Sequence, residues 1–267
     1  MQSEIVFVGL GLNDDEGISL RGLDEIKTAN KAFLELYTSV MPDFSVENLQ
    51  RTSGKSIQVL GRSDLEEKNA EVIMKAAENG KVVLLVPGDP LIATTHVALR
   101  IEAERRGIKT RLVHGASVLS AAIGMSGLHN YKFGKSVTIP FPDETPSETP
   151  YSVISQNKKL GLHTLCLLDI KTEENHCLTI PDALNELVRV GKLRKDKAIT
   201  QETLTIGLAR LGSICPKVKA GLVGDITKYD YGAPPYCLVF PGKLHFIEAE
   251  ALIVLAGASA RIVETSK

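Results

Sequence analysis

The chain has 267 residues, 43% hydrophobic and 24% charged, enough apolar material for sizeable cores without metal or disulfide staples. Its 31 basic and 32 acidic residues leave a net charge of -1, which argues against a broad nucleic-acid face or an anionic-membrane surface but not against a protein substrate. No run approaches the roughly 20 apolar residues of a membrane span, and Met1-Gln2-Ser3-Glu4 opens no signal peptide, so a cytoplasmic protein is expected.

Strand and helix signals alternate from the start. Ile5 to Val8 reads as a strand, Ile18 to Lys31 as a helix and Ile57 to Leu60 as a strand. Leu65 to Glu78 reads as an amphipathic helix with Ser63-Asp64 as its cap. Val82 to Val86 is a continuous apolar run suited to a strand buried on both faces. Thr94 to Arg106 follows as a helix ended by Gly107, then a strand at Thr110 to Val113 and a helix at Val118 to Met125 opened by Ser117. A strand at Ser136 to Ile139 precedes a Pro-rich stretch, 141–150, read as a loop. Tyr151 to Lys159 and Ile180 to Val190 read as helices, the second with Pro181 near its start. Thr164 to Asp169, Leu204 to Ala209 and Tyr236 to Phe240 read as strands, and His245 to Ala256 as a closing helix.

This order places the chain in the α/β class, as two α/β domains, 1–115 and 116–267, the first with a mainly parallel sheet. Parallel sheets bind ligands at the carboxyl ends of their strands, near a switch in strand order. The loops after Val8, Val86 and Val113 are therefore the candidate site.

Gly9-Leu10-Gly11-Leu12 follows the first strand, but position 14 is Asp where a dinucleotide fingerprint needs Gly. It is either a ligand-approach turn or merely a tight strand-to-helix turn. Gly54-Lys55-Ser56 and Gly134-Lys135-Ser136 mimic the end of a P-loop, yet Leu49 and His129 stand where the leading Gly is required. Pro87-Gly88-Asp89-Pro90 ends the buried strand. Pro90 holds Asp89 out of the α region, so its carboxylate is presented stiffly to ligand hydroxyl or ammonium groups. The alternative is an ordinary Pro-Gly turn. Thr94 or Thr95 is a candidate cap, and His96 is either a ligand contact or a satisfied helix-start histidine. His114-Gly115-Ala116-Ser117 leaves backbone amides reachable. Cys166 and Cys237 sit in strand runs and are expected as buried free thiols; no disulfide, zinc or other metal site is expected from the four cysteines. No catalytic residue is assigned.

Val8-Gly9-Leu10-Gly11-Leu12, Tyr37-Thr38-Ser39, Pro87 to His96, His114 to Ser117, Tyr131 to Ser136, Leu162 to Leu165, Ala209 to Ser213 and Pro241 to His245 resemble, in order and spacing, the diphthine synthase family of the tetrapyrrole methylase superfamily. The likeness covers essentially the whole chain. It implies a cofactor cleft between two α/β domains, a homodimer, and methylation from S-adenosyl-L-methionine, leaving S-adenosyl-L-homocysteine. The implied acceptor is the amino group of a 3-amino-3-carboxypropyl-histidine on translation elongation factor 2, in diphthamide biosynthesis. Carried over, the cofactor contacts are Leu10, Asp89, Ile92, Ser117, Val118, Leu168, Leu211 and Tyr236. Tyr236 stands where the family often has His after a Pro-Pro pair, a change that a backbone contact tolerates. Two other classes compete: a corrin or ribosomal RNA methylase and a non-catalytic cofactor sensor. Gly11-Leu12-Asn13-Asp14 departs from the Gly-Pro-Gly-Asp of corrin enzymes, and the near-neutral charge speaks against RNA.

Overall fold

The structure is a computed structural model that describes residues 3–261. The chain divides into two compact units: residues up to Val118 with Thr172–Glu174, and Leu119–Lys171 with the residues from Asn175 onward.

In the first unit, β1 (Glu4–Gly9), β2 (Lys31–Glu35), β3 (Ile57–Leu60), β4 (Lys81–Val86) and β5 (Lys109–Val113) form a sheet ordered β3-β2-β4-β1-β5. Every neighbouring pair is parallel. Its strands alternate between two cores, as the period of 2 requires. Ile5, Phe7, Phe33, Val82, Leu84 and Val86 pack on one face, with Ile73 and Met74 of α3 (Glu71–Ala77) and Leu99 and Ala103 of α4 (Val97–Arg105). Val6, Val8, Leu34, Val83 and Leu85 pack on the other, with Ile26 of α1 (Leu20–Thr28) and Leu49 of α2 (Val46–Ser53). The chain thus leaves β2 and β1 toward one face and leaves β4, which lies between them, toward the other. That is a topological switch point at the carboxyl edge.

Several local expectations are corrected. The helix expected over Ile18 to Lys31 stops at Thr28, and Lys31 already belongs to β2. The run from Ala32 to Leu36 suits either period, and burial on both faces decides for the strand. The helix α2, capped by the Ser45 hydroxyl accepting from Asn48 N–H, was not foreseen. The single helix expected over Leu65 to Glu78 is split into a π-turn at Ser63–Glu67 and α3, with Asn69 and Ala70 at φ +49° and +51° between them. Ser63-Asp64 caps neither piece: Asp64 instead accepts from Gly61 N–H and Lys68. Helix α4 starts three residues later than expected, at Val97. The Thr94 hydroxyl donates to the Pro90 carbonyl and that of Thr95 to Glu66, so neither is its cap.

The second unit begins within α5 (Val118–Ser126). It holds β6 (Val137–Ile139), α6 (Thr149–Lys159), β7 (Thr164–Leu168), the hairpin strands β8 (Ile170–Lys171) and β9 (His176–Cys177), and α7 (Ile180–Arg194). Then follow β10 (Leu204–Ala209), β11 (Lys217–Leu222), α8 (Val223–Ile226), β12 (Tyr236–Phe240) and α9 (Phe246–Val254). The sheet runs β11-β10-β12-β7-β6, with only β6 and β7 parallel. The edge strand β11 escaped the sequence because Lys217 and Lys219 interrupt its apolar pattern. The Pro-rich loop is shorter than expected: Thr149 and Pro150 open α6, where a first-turn proline loses no helical hydrogen bond. Cys166 and Cys237 are buried in adjoining strands, and burial pushes both thiols well above their ordinary pKa, to about 12 for Cys237. Among the described residues, no helix is long and apolar enough to cross a membrane.

One buried carboxylate ties this unit together. Glu248 and His163 are fully buried. Glu248 Oε1 accepts from His129 N–H and from His163 Nε2, each at 2.9 Å. Its Oε2 accepts from His245 N–H at 2.7 Å and from the Lys132 ammonium. His163 Nδ1 accepts from Gly242 N–H at 2.9 Å, which assigns the ring proton to Nε2. Burial alone would raise the Glu248 pKa, but these four donors outweigh it and bring it to about 2.

Candidate functional site

The loops after β1, β4 and β5 meet at the carboxyl edge of the first sheet. Gly11 N–H donates to the Gly88 carbonyl at 3.1 Å, and Gly88 N–H to the Gly11 carbonyl at 2.7 Å. Gly88 sits at φ +69°, a conformation that glycine adopts without strain. Gly115 packs against both loops. A Cβ on it would press on the Gly88 carbonyl oxygen and stand 2.8 Å from Gly9 C and 2.9 Å from Gly11 N. Three backbone segments therefore pack directly against one another with no side chain between them, which fixes the position of the turn that carries Asp89.

Asp89 follows Gly88 on this turn. It is only 8% exposed. One carboxylate oxygen accepts from Leu91 N–H at 3.3 Å, and the other lies 2.7 Å from His114 Nδ1. Ile92 N–H donates to the Asp89 carbonyl, so Asp89 and Ile92 belong to one turn. Ser117 and Val118 follow Gly115 by two and three residues, half-buried where α5 begins. Leu10 is fully buried, and its N–H is taken by the Val86 carbonyl. These five residues share one edge of the first unit.

In the second unit, Leu168, Leu211 and Tyr236 also share a sheet edge. Leu168 ends β7, Tyr236 begins β12, and Ala209 at the end of β10 pairs with Tyr236. Leu211 is 6% exposed and sits between Arg210 and Gly212, both at positive φ. The Tyr236 hydroxyl donates to the Gly232 carbonyl, so its side chain is already engaged within its own unit.

A third polar group was not found by sequence reasoning. Glu35, at the end of β2, is fully buried; it accepts from Tyr37 N–H at 3.0 Å, from Thr38 N–H at 3.1 Å and from the Thr38 hydroxyl. Burial raises its pKa to about 7 against the pull of those bonds. His96 Nε2 lies 3.9 Å from Glu35 Oε1. His96 is 3% exposed, and neither ring nitrogen has a full hydrogen bond among the described residues, which corrects the reading of a satisfied helix-start histidine. Missing β2 hid this cluster. Tyr37-Thr38-Ser39 was the one signal that marked the loop, through family likeness rather than chemistry.

The chain matches the model of the Tetrapyrrole (Corrin/Porphyrin) Methylases over residues 4–203. It is 44% identical to the diphthine synthase of Methanocella arvoryzae over 254 residues, covering 95% of this chain and 98% of that one. It is 42% identical to the diphthine synthase of Methanosarcina acetivorans over 269 residues, covering 98% and 100%. A crystal structure of a diphthine synthase superposes with a TM-score of 0.89 at 40% identity, covering 98% of this chain and 99% of that one.

Proposed function

Since this chain belongs to the tetrapyrrole methylases and, within them, to the diphthine synthases, we propose that it methylates the amino group of the 3-amino-3-carboxypropyl-histidine on translation elongation factor 2, giving diphthine. The methyl donor is S-adenosyl-L-methionine and the product S-adenosyl-L-homocysteine. The enzyme works as a cytoplasmic homodimer, without nucleic-acid or membrane partners.

The glycine loops beside Asp89 are the observation that carries the donor assignment. Side-chain-free loops at the carboxyl edge of a parallel sheet suit a ligand held by backbone groups, and Asp89 adds a buried carboxylate beside them. The donor contacts in the first unit are Leu10 through its main chain, Asp89, Ile92, Ser117 and Val118. In the second unit they are Leu168, Leu211 and Tyr236, the last through its backbone. When bound, the donor supplies an electrophilic methyl on a sulfonium, which calls for neither a metal nor a covalent enzyme intermediate. The chain's part is to hold the reactants in line, to exclude water and to accept a proton from the amine.

Mixing the protein with labelled donor and elongation factor 2 bearing the unmethylated side chain tests the reading. Label on the factor supports it, while donor binding without transfer points to a sensor. Asp89→Ala is expected to weaken donor binding by about tenfold or more, roughly 1.4 kcal/mol, in calorimetry. Unchanged affinity would remove Asp89 from the donor site.

A further inference from the structure

A cavity of about 620 Å³ opens between the π-turn and the start of α4. Tyr37, Leu65, Glu66, Thr95, His96 and Leu99 line it, with Glu102 and Arg106 farther along α4. It lies past the ends of β2 and β4, neighbours from which the chain leaves to opposite faces of the sheet. His96 and Tyr37 are 3% and 8% exposed, and the Tyr37 hydroxyl, like both His96 ring nitrogens, is buried without a full hydrogen bond. Thr95 stands near the Tyr37 hydroxyl, and the Pro90 carbonyl near the His96 ring, each short of full geometry. Buried polar atoms are costly to leave unpaired, so these three shielded atoms, in side chains that line the cavity, call for an occupant with hydrogen-bonding groups.

We propose that this cavity receives the amine-bearing arm of the acceptor, with a ring nitrogen of His96 taking the proton of the ammonium group and the Tyr37 hydroxyl holding the arm. This rests on the amine-methylation reading above. In the step assigned to His96, an N–H bond of the ammonium breaks, its electron pair stays on the amine nitrogen, and a new N–H bond forms on the imidazole. The imidazolium then loses its proton to solvent. Three features suit His96 to this. Burial holds its pKa below the ordinary histidine value, so the ring enters neutral near pH 7. Glu35 Oε1, 3.9 Å away, offers an acceptor oxygen toward the ring once it is protonated. The Pro90 carbonyl belongs to the residue next to Asp89, which puts His96 on the same turn system as the glycine loops. The other charged groups facing the cavity are Glu66, Glu102 and Arg106. Glu66 favours a protonated His96, while Arg106 is engaged by Glu71 and Glu102. Arg62 lies over the Tyr37 ring, 5.5 Å from its centroid.

The test uses the full chain. His96→Gln is expected to lower kcat about a hundredfold or more, with donor affinity unchanged in calorimetry. Wild-type kcat should fall as the pH drops through an apparent pKa below 6.5, and His96→Gln should lack that limb. Tyr37→Phe should raise KM for elongation factor 2 by roughly tenfold, the worth of one hydrogen bond, with little change in kcat. An independent readout needs no donor: in histidine-labelled protein, L-2-aminobutyrate, the free form of the acceptor arm, should shift the His96 ring signals in NMR. A His96→Gln variant with wild-type kcat and an intact acid limb overturns the proposal, as do His96 signals that ignore the probe. If the wild-type protein transfers no label at all, the functional reading fails first and the acceptor assignment falls with it.

Discussion

Replacing Glu248 by alanine should destabilise the second unit by roughly 3–5 kcal/mol, because it strips the shared acceptor from buried His163 and Lys132 and from the amides of His129 and His245. For a chain of this size, a loss of that order corresponds to a fall in Tm of about 10 °C, which thermal unfolding followed by circular dichroism would show. A Tm within a degree of wild type would mean that the cluster is replaceable by water. The pH dependence has a definite sign. The folded carboxyl titrates at about 2, below its ordinary value of 4.5, so its contribution is complete above pH 4.5 and is lost as the pH falls from there toward 2. Glu248→Gln should therefore flatten the acid side of the stability curve. It should also cost stability near neutral pH, since an amide offers one acceptor oxygen in place of two.

Gly115→Ala should weaken donor binding about a hundredfold while leaving the sheet of the first unit formed. Its Cβ has no room: the Gly88 carbonyl oxygen, Gly9 C and Gly11 N all lie inside ordinary contact distance. Relief requires the β1 and β4 loops to part, which breaks the paired Gly11–Gly88 hydrogen bonds and swings Asp89 away. Overpacking of this kind costs about 1–3 kcal/mol of stability, and the displaced loops should cost donor affinity about a hundredfold, near 2.7 kcal/mol. Gly124→Ala is the matched control. Gly124 is exposed within α5 with nothing within 4 Å of its added Cβ, so the change should leave donor affinity alone and raise stability by up to about 1 kcal/mol. Calorimetric titration of both variants decides the matter: equal affinities would show that these loops are not where the donor binds.

What could be read without the structure was read from local signals. Val82–Val86 announces a doubly buried strand because five consecutive apolar residues have no polar face to offer. Pro87-Gly88-Asp89-Pro90 announces a stiff turn because proline and glycine restrict or free the backbone wherever they occur. The family likeness extended those local signals to the eight proposed donor contacts. The misread elements were those whose local signal was balanced or interrupted. Lys31–Glu35 suits a helix as well as a strand, and Lys217–Leu222 alternates charge with apolar residues on an edge. The Leu65 to Glu78 pattern was amphipathic throughout, yet the backbone turns left-handed at Asn69 and Ala70 between its two pieces.

The sequence by itself determined the α/β class, the parallel first sheet and the turn that carries Asp89, because each follows from propensity and periodicity within a few residues. Only the tertiary structure decided which polar groups are buried and whether they are satisfied. His163 finds Glu248 across 85 residues, and the strand ends of β2 and β4 bring Glu35, Tyr37 and His96 to one place. No local rule reports the burial of Glu35 or the unpaired nitrogens of His96. Desolvation and hydrogen-bond satisfaction belong to the packed chain, and they separate a histidine that merely opens a helix from one able to take a proton.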